Sequence, residues 1–265
     1  MFQEVTAVTI DLRGFTIFLS EVFNKSEEEA GNEISFLKEY LQNAINIAKW
    51  CANDESAQLN YITTGDGAII MFKGDHNKIR GYLYSIILKN KIDEILKNKE
   101  IRYGIGIGSG KAYALYPDRR INILSNAINT SAKLEKMTKF FVGTELLITN
   151  ETFEGVIEYF NKDILQRNGF KNYKSIREAT KNYELHGYTE QALQLRSTMN
   201  NLNENLFFRY IAKVNIDGSN NERLLYSYSD SLFKVNKTAF WTNNKDKIDI
   251  IVNKKYLKEI ESFFT

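Results

Sequence analysis

The feature that most restricts the fold is a pair of apolar runs, residues 59–63 and 68–72, joined by Thr64-Gly65-Asp66-Gly67. Two β-branched runs separated by an Asp-Gly turn read as an antiparallel hairpin, which puts Asp66 in its turn. Residues 5–11 alternate too little for a half-exposed strand and read as a buried one ending at Asp11. Gly14-Phe15-Thr16 then opens a helical stretch that runs to about Trp50, with a break near Ser26. Within it Ile34, Leu37, Leu41, Ile45 and Ala48 recur at helical spacing. Residues 76–96 read as a second helix. Residues 101–109 alternate through Gly104, Gly106 and Gly108, the pattern of a strand against which something packs closely. A second hairpin arm over 111–116, a loop at Pro117 and a helix over 124–137 follow.

Strand, helix, hairpin, helix, strand is the split βαβ order. The expected fold is α+β, a ferredoxin-like antiparallel sheet with flanking helices, plus a small C-terminal α/β extension. The first strand and the hairpin are neighbours in such a sheet, so Asp11 and Asp66 can meet. The chain divides into a domain over residues 1–199 and an extension over 200–265, with the polar stretch 200–205 as linker. Short strands at 207–216, 224–228 and 248–252 and a final helix over 254–264 are expected in the extension.

A net charge of +2, from 35 basic and 33 acidic residues, leaves no polyanion-binding stripe, so no nucleic-acid partner is expected. Hydrophobic content of 43% marks a folded chain rather than a disordered one. No apolar run approaches the roughly 18 residues of a membrane span. Met1 leads almost directly into a strand, so no signal peptide is expected. A cytoplasmic protein without a membrane partner is expected. Cys51, the single cysteine, reads as a buried free thiol.

Paired carboxylates at the ends of strands form a site for hard divalent cations. Two such cations about 3.5–4 Å apart drive in-line displacement at phosphorus. The start of the helix at Gly14 adds free amides that can hold phosphate oxygens. Plainer readings stand beside these: Asp11 as a helix cap, Asp66 as an ordinary turn residue, and Arg102 as a strand-end ion pair.

The segments around Asp11, Asp66, Arg102 and Asn129 together resemble the catalytic domain of class III nucleotidyl cyclases. Asp11-Leu12-Arg13-Gly14-Phe15 matches the first strand and its turn, and Gly65-Asp66 the hairpin. Arg102-Tyr103-Gly104-Ile105 matches the fourth strand. The run from Asn126 to Glu135 matches the helix that carries an Asn and, four residues later, an Arg. The resemblance spans roughly residues 5–187. It implies cyclisation of a nucleoside triphosphate with release of pyrophosphate, using two divalent ions, Mn2+ or Mg2+. Asp11, Asp66 and the Leu12 carbonyl would hold the metals, amides from Arg13, Gly14, Phe15 and Thr16 the phosphates, and Arg102 is a possible substrate contact. Asn129 and Lys133 would be catalytic, Lys133 standing where the family carries Arg. In the family that helix serves the other subunit's metals, which implies a homodimer with composite sites.

The purine-reading Lys and Asp of the family fall here on Ile62, beside Tyr61, and on Asn122. With those replacements the chain looks like the pyrimidine cyclases of Pycsar antiphage systems, which implies UTP as substrate and cyclic UMP as a defence messenger. The alternatives are a cytidylate cyclase, an adenylate or guanylate cyclase with an atypical base pocket, and an inactive nucleotide-sensing module.

Overall fold

The computed structural model describes residues 2–115, 122–141, 143–216 and 222–265. The loop expected at Pro117 lies outside them. Among the described residues, β1 (Gln3–Arg13), β2 (Leu59–Thr63), β3 (Gly67–Lys73), β4 (Arg102–Leu115), β6 (Leu146–Thr149), β7 (Phe208–Asn215) and β8 (Glu222–Tyr228) form one sheet. Their order is β2-β3-β1-β4-β6-β8-β7, and β5 (Asn122–Ser125) pairs with β4. Every pairing is antiparallel except β4 with β6.

The continuous apolar run of β1 is explained by burial on both faces. Val8, Ile10 and Leu12 enter the main core, whereas Val5 and Ala7 pack with Ala127 on the opposite face. The main core is covered by α2 (Glu27–Trp50), α4 (Asn77–Leu96) and α6 (Asn150–Arg167); a single turn, α3 (Glu55–Gln58), precedes β2, and α7 (Tyr173–Leu185) follows α6. The break expected near Ser26 is real. It separates α1 (Phe15–Val22) from α2, and Ser26 and Glu29 close a capping box there. Cys51 is buried and free, and burial pushes its thiol pKa up.

The opposite face is covered by α5 (Asn126–Met137), which lies directly on β4. The alternating glycines make that possible. A Cβ at Gly106 would stand 2.0 Å from the Ser131 carbonyl oxygen, so what packs on this strand is the helix's own backbone. β4 does not break after Ser109: it runs unbroken to Leu115 because its second half pairs first with β1 and then with β5.

Residues 200–265 depart from expectation in detail. The polar stretch 200–205 is mostly helical, since α8 (Thr189–Glu204) runs through all but its last residue. Leu202 and Asn203 face inward there, and Asn203 accepts from the Tyr173 hydroxyl at 2.8 Å. The strand expected at 248–252 is instead the end of α9 (Asp230–Asp249) and the turn that follows it, where Ile248, Ile251 and Val252 fill the core. β7 and β8 extend the same sheet, and Phe207, Phe240 and Phe264 join the main core. The final helix, α10 (Leu257–Phe264), forms as expected after a turn of 3-10 helix at Lys254–Tyr256. Among the described residues no helix is long and apolar enough to cross a membrane.

Candidate functional site

The register of the sheet brings the two carboxylates together. Asp11 lies opposite Gly67 on β3 and Gly104 on β4, and the Leu12 amide donates to the Asp66 carbonyl at 3.4 Å. The turn closes through the Thr64 amide onto the Gly67 carbonyl at 2.9 Å. Gly65 is the residue in the left-handed region, with φ 83°, and this is the first central position of the turn. Gly67 answers a different need: a Cβ there would stand 2.6 Å from the Ile10 carbonyl oxygen and 2.9 Å from Asp11 Oδ1. The same spot lies 2.8 Å from the Thr64 hydroxyl, which places that hydroxyl beside Asp11. Asp11 is held above the usual carboxylate value, first by burial and then by the charge of Asp66, while Lys139, Arg13 and Lys136 pull the other way. An ionised Asp11 beside Asp66 is therefore short of positive charge. Carboxylate, hydroxyl and carbonyl oxygens are the donors that hard divalent cations take. The residues present fit such an ion.

Beyond Asp11 the chain turns at Gly14, φ 77°, and α1 starts at Phe15. Gly14 supplies no side-chain cap, and Asp11 does not cap this helix either. The first-turn amides, at Phe15 and Thr16, have no intrahelical partner. Phe15 is buried and stacks on Phe18 at 6.0 Å between centroids, which anchors this turn to the core. The side chain of Arg13 leaves the turn altogether. It crosses β4 and donates through Nη2 to the Glu135 carbonyl at 2.8 Å, to Glu135 Oε1 at 3.3 Å and to the Thr138 hydroxyl. Arg102 lies opposite Arg13, is exposed, and makes no ion pair among the described residues. Arg13, Arg102, Lys97 and Lys139 line a cavity of about 650 Å³ at this end of the sheet, facing Asp93 and Glu145.

The other expected site residues stand apart from the carboxylates within one chain. On α5 the residues Ala127, Thr130, Ser131, Leu134 and Glu135 face the sheet, and Asn129 and Lys133 point outward. Lys133 Nζ donates to the Ile216 carbonyl at 3.0 Å. Tyr61 and Ile62 are exposed on the edge strand β2, and alternation puts them on opposite faces. Ile62 aligns with Ile69 and through it with Thr9, so it shares the face of Asp11; Tyr61 aligns with Ile70 on the other face. Asn122 pairs with Leu115 at the far end of β4, eleven residues from Gly104. At the rise of an extended strand that is on the order of 30 Å from Asp11.

Solved structures with a similar arrangement of sheet and helices include adenylyl and guanylyl cyclases. The adenylyl cyclase CyaB from P. aeruginosa aligns over 87% of this chain and 95% of its own, with a TM-score of 0.54 and 16% identity. A bacterial light-regulated adenylyl cyclase aligns over 100% of both chains, with a TM-score of 0.52 and 10% identity. The catalytic core of a rhodopsin-guanylyl cyclase with converted specificity, in complex with ATPαS, covers 86% of this chain and 96% of its own at 0.51 and 14%. The fold is that of the class III nucleotidyl cyclases. No protein-family model matches the sequence and no curated protein matches it.

Within the cyclase fold, the sequence motifs pointed to Asp11, Asp66 and the turn at Gly14, and these do meet. Thr64, Glu135 and Thr138 were not among the expected site residues. The signal for Glu135 lay in its position: a glutamate on the sheet-facing stripe of α5, 3% exposed, must find a partner.

Proposed function

We propose that this chain is a nucleotidyl cyclase that converts a pyrimidine nucleoside triphosphate, UTP in preference to CTP, to its 3′,5′-cyclic monophosphate and pyrophosphate. The observation that carries this reading is the juxtaposition of Asp11 and Asp66, with burial and mutual repulsion leaving Asp11 in want of a cation. Asp11, Asp66 and the Leu12 carbonyl would hold two divalent ions, Mn2+ or Mg2+. Bound there, these ions supply an acidified ribose 3′-hydroxyl and neutralise the departing pyrophosphate. In the reaction the 3′-oxygen bonds to the α-phosphorus as the bond to the β-phosphate bridging oxygen breaks, and the hydroxyl proton leaves to solvent.

The chain's part is to bind and align. Amides at the start of α1 receive phosphate oxygens, and Arg102 reaches the same end of the sheet from β4. Asn129 and Lys133 face away from Asp11 in their own chain and complete the site of a second copy, related by two-fold symmetry. The base would be read by Ile62, Tyr61 and Asn122, of which Ile62 lies on the sheet face of Asp11. An apolar side chain in place of a purine-reading Lys, with an amide in place of an Asp, removes the partners that adenine needs. The role we assign to the product is that of a second messenger in bacterial antiphage defence.

The test is incubation of the purified protein with UTP, CTP, ATP and GTP together at equal concentration with Mn2+, the cyclic products being separated by mass. Cyclic UMP should dominate, with cyclic CMP next. Mainly cyclic AMP or cyclic GMP would overturn the pyrimidine reading and leave a purine cyclase with an unusual pocket.

A further inference from the structure

Arg13 belongs to the turn that follows Asp11, yet its guanidinium is spent on α5. One nitrogen, Nη2, serves the Glu135 carbonyl, the Glu135 carboxylate and the Thr138 hydroxyl, and Thr138 itself donates to the Glu135 carbonyl at 2.6 Å. Glu135 and Thr138 are 3% and 2% exposed, so the acceptors of this knot are largely shielded from water. Only a glycine at position 104 lets it form. A Cβ there would stand 2.1 Å from Arg13 Nη2 and 2.6 Å from Glu135 Oε1. The three partners come from the end of β1, from the last turn of α5 and from the 3-10 turn beyond it (Thr138–Phe140), with β4 threaded between. Two elements with different duties are thereby tied. β1 carries Asp11, and α5 carries Asn129 and Lys133 on its outer face.

We infer that Arg13, Glu135 and Thr138 form a pin that fixes the outer face of α5 relative to the carboxylates of the same chain, and so aligns the two composite sites of a dimer with one another. The inference rests on the shared-site reading above. Arg13 is then a positioning residue and not a phosphate ligand, although it also lines the cationic cavity beside Arg102. A half-buried arginine whose Nη2 reaches three acceptors on one neighbouring segment ties that segment to the end of β1 through charge-assisted contacts. Lysine at this position would keep the charge, but its side chain is one atom shorter than the path to Nη2, so its ammonium falls short of the Glu135 and Thr138 acceptors.

The pin makes a claim that a phosphate ligand does not: Arg13 matters to the site its own Asp11 does not serve. Purified Asp11→Asn protein is mixed with purified Asn129→Ala protein and allowed to exchange subunits. The mixed dimer then has one intact site, built from Asp11 of the second chain and Asn129 of the first. Arg13→Lys is next placed on the first chain only, whose own carboxylate site is already dead. The pin predicts that turnover of the restored site falls about tenfold, in kcat with KM for UTP little changed, because α5 of that chain is no longer held in register. A phosphate ligand predicts no loss from this placement, and a raised KM when the substitution is moved to the second chain. Restored activity that is unaffected by Arg13→Lys on the first chain overturns the pin alone. Absence of any activity in the parent mixture, with exchange demonstrated by native mass, overturns the shared site and the pin with it. Thermal unfolding of each single chain serves to separate loss of fold from loss of alignment, since a folded Arg13→Lys chain that still lowers kcat supports the pin.

Discussion

Among single residues, Asp11 governs the chemistry of the site. Its carboxyl is held above the ordinary value of 3.8 by burial and by Asp66. A carboxyl with a raised folded-state pKa binds its proton more tightly folded than unfolded. The resulting cost to stability is absent below about pH 3.8, where both states are protonated. It grows as pH rises toward the folded-state value and is fully present above it. Asp11→Asn should therefore raise the melting temperature of the cation-free protein at neutral pH while abolishing activity. Mn2+ should stabilise the wild type and leave the variant unmoved. A variant that melts lower than wild type without cation, at equal far-UV signal, would contradict this assignment of charge. The two aspartates were legible in the sequence because each is fixed by local signals, an apolar run meeting a turn. The Arg13–Glu135 contact was not, since its partners are 122 positions apart and meet only through the gap at Gly104.

At the scale of elements the decisive contact is α5 on β4. Gly106→Ala would drive a Cβ to 2.0 Å from the Ser131 carbonyl and 2.5 Å from the Glu135 amide, both backbone atoms that cannot rotate away. Overpacking of this kind should cost about 3 kcal/mol in urea unfolding. Gly31→Ala on exposed α2, with nothing within 4 Å of the added carbon, should instead stabilise the protein by about 1 kcal/mol. Equal effects at the two sites would show that close packing is not why β4 carries glycines. The glycine alternation announced a close neighbour, but sequence could not say which one. The end of α9 misled for a related reason. Ile248, Ile250, Ile251 and Val252 have the composition of a strand, and burial of three of them against the core overrides that local preference.

At the scale of the molecule, one sheet runs from the edge strand β2 to β7, and residues 200–265 are tied into it by strand pairing and an aromatic cluster. Phe207 sits at φ 64°, an uncommon conformation for a phenylalanine, with its ring wholly buried against Phe233 and Phe240. The order strand, helix, hairpin, helix, strand over residues 5–109 could be read from periodicity and turn chemistry. The joining of β8 to β6 could not, because it depends on long-range pairing that leaves no local mark. The same geometry sets Asn129 and Asn122 away from Asp11 in one chain, which is why the proposed site needs two. The most direct measurement is formation of cyclic nucleotide and pyrophosphate from UTP with Mn2+, by the wild type and by Asp66→Asn side by side. Equimolar cyclic UMP and pyrophosphate are expected from the wild type and neither from the variant, with both proteins folded. No cyclic product from any of the four nucleoside triphosphates, or equal activity in the variant, would contradict the proposed cyclase function.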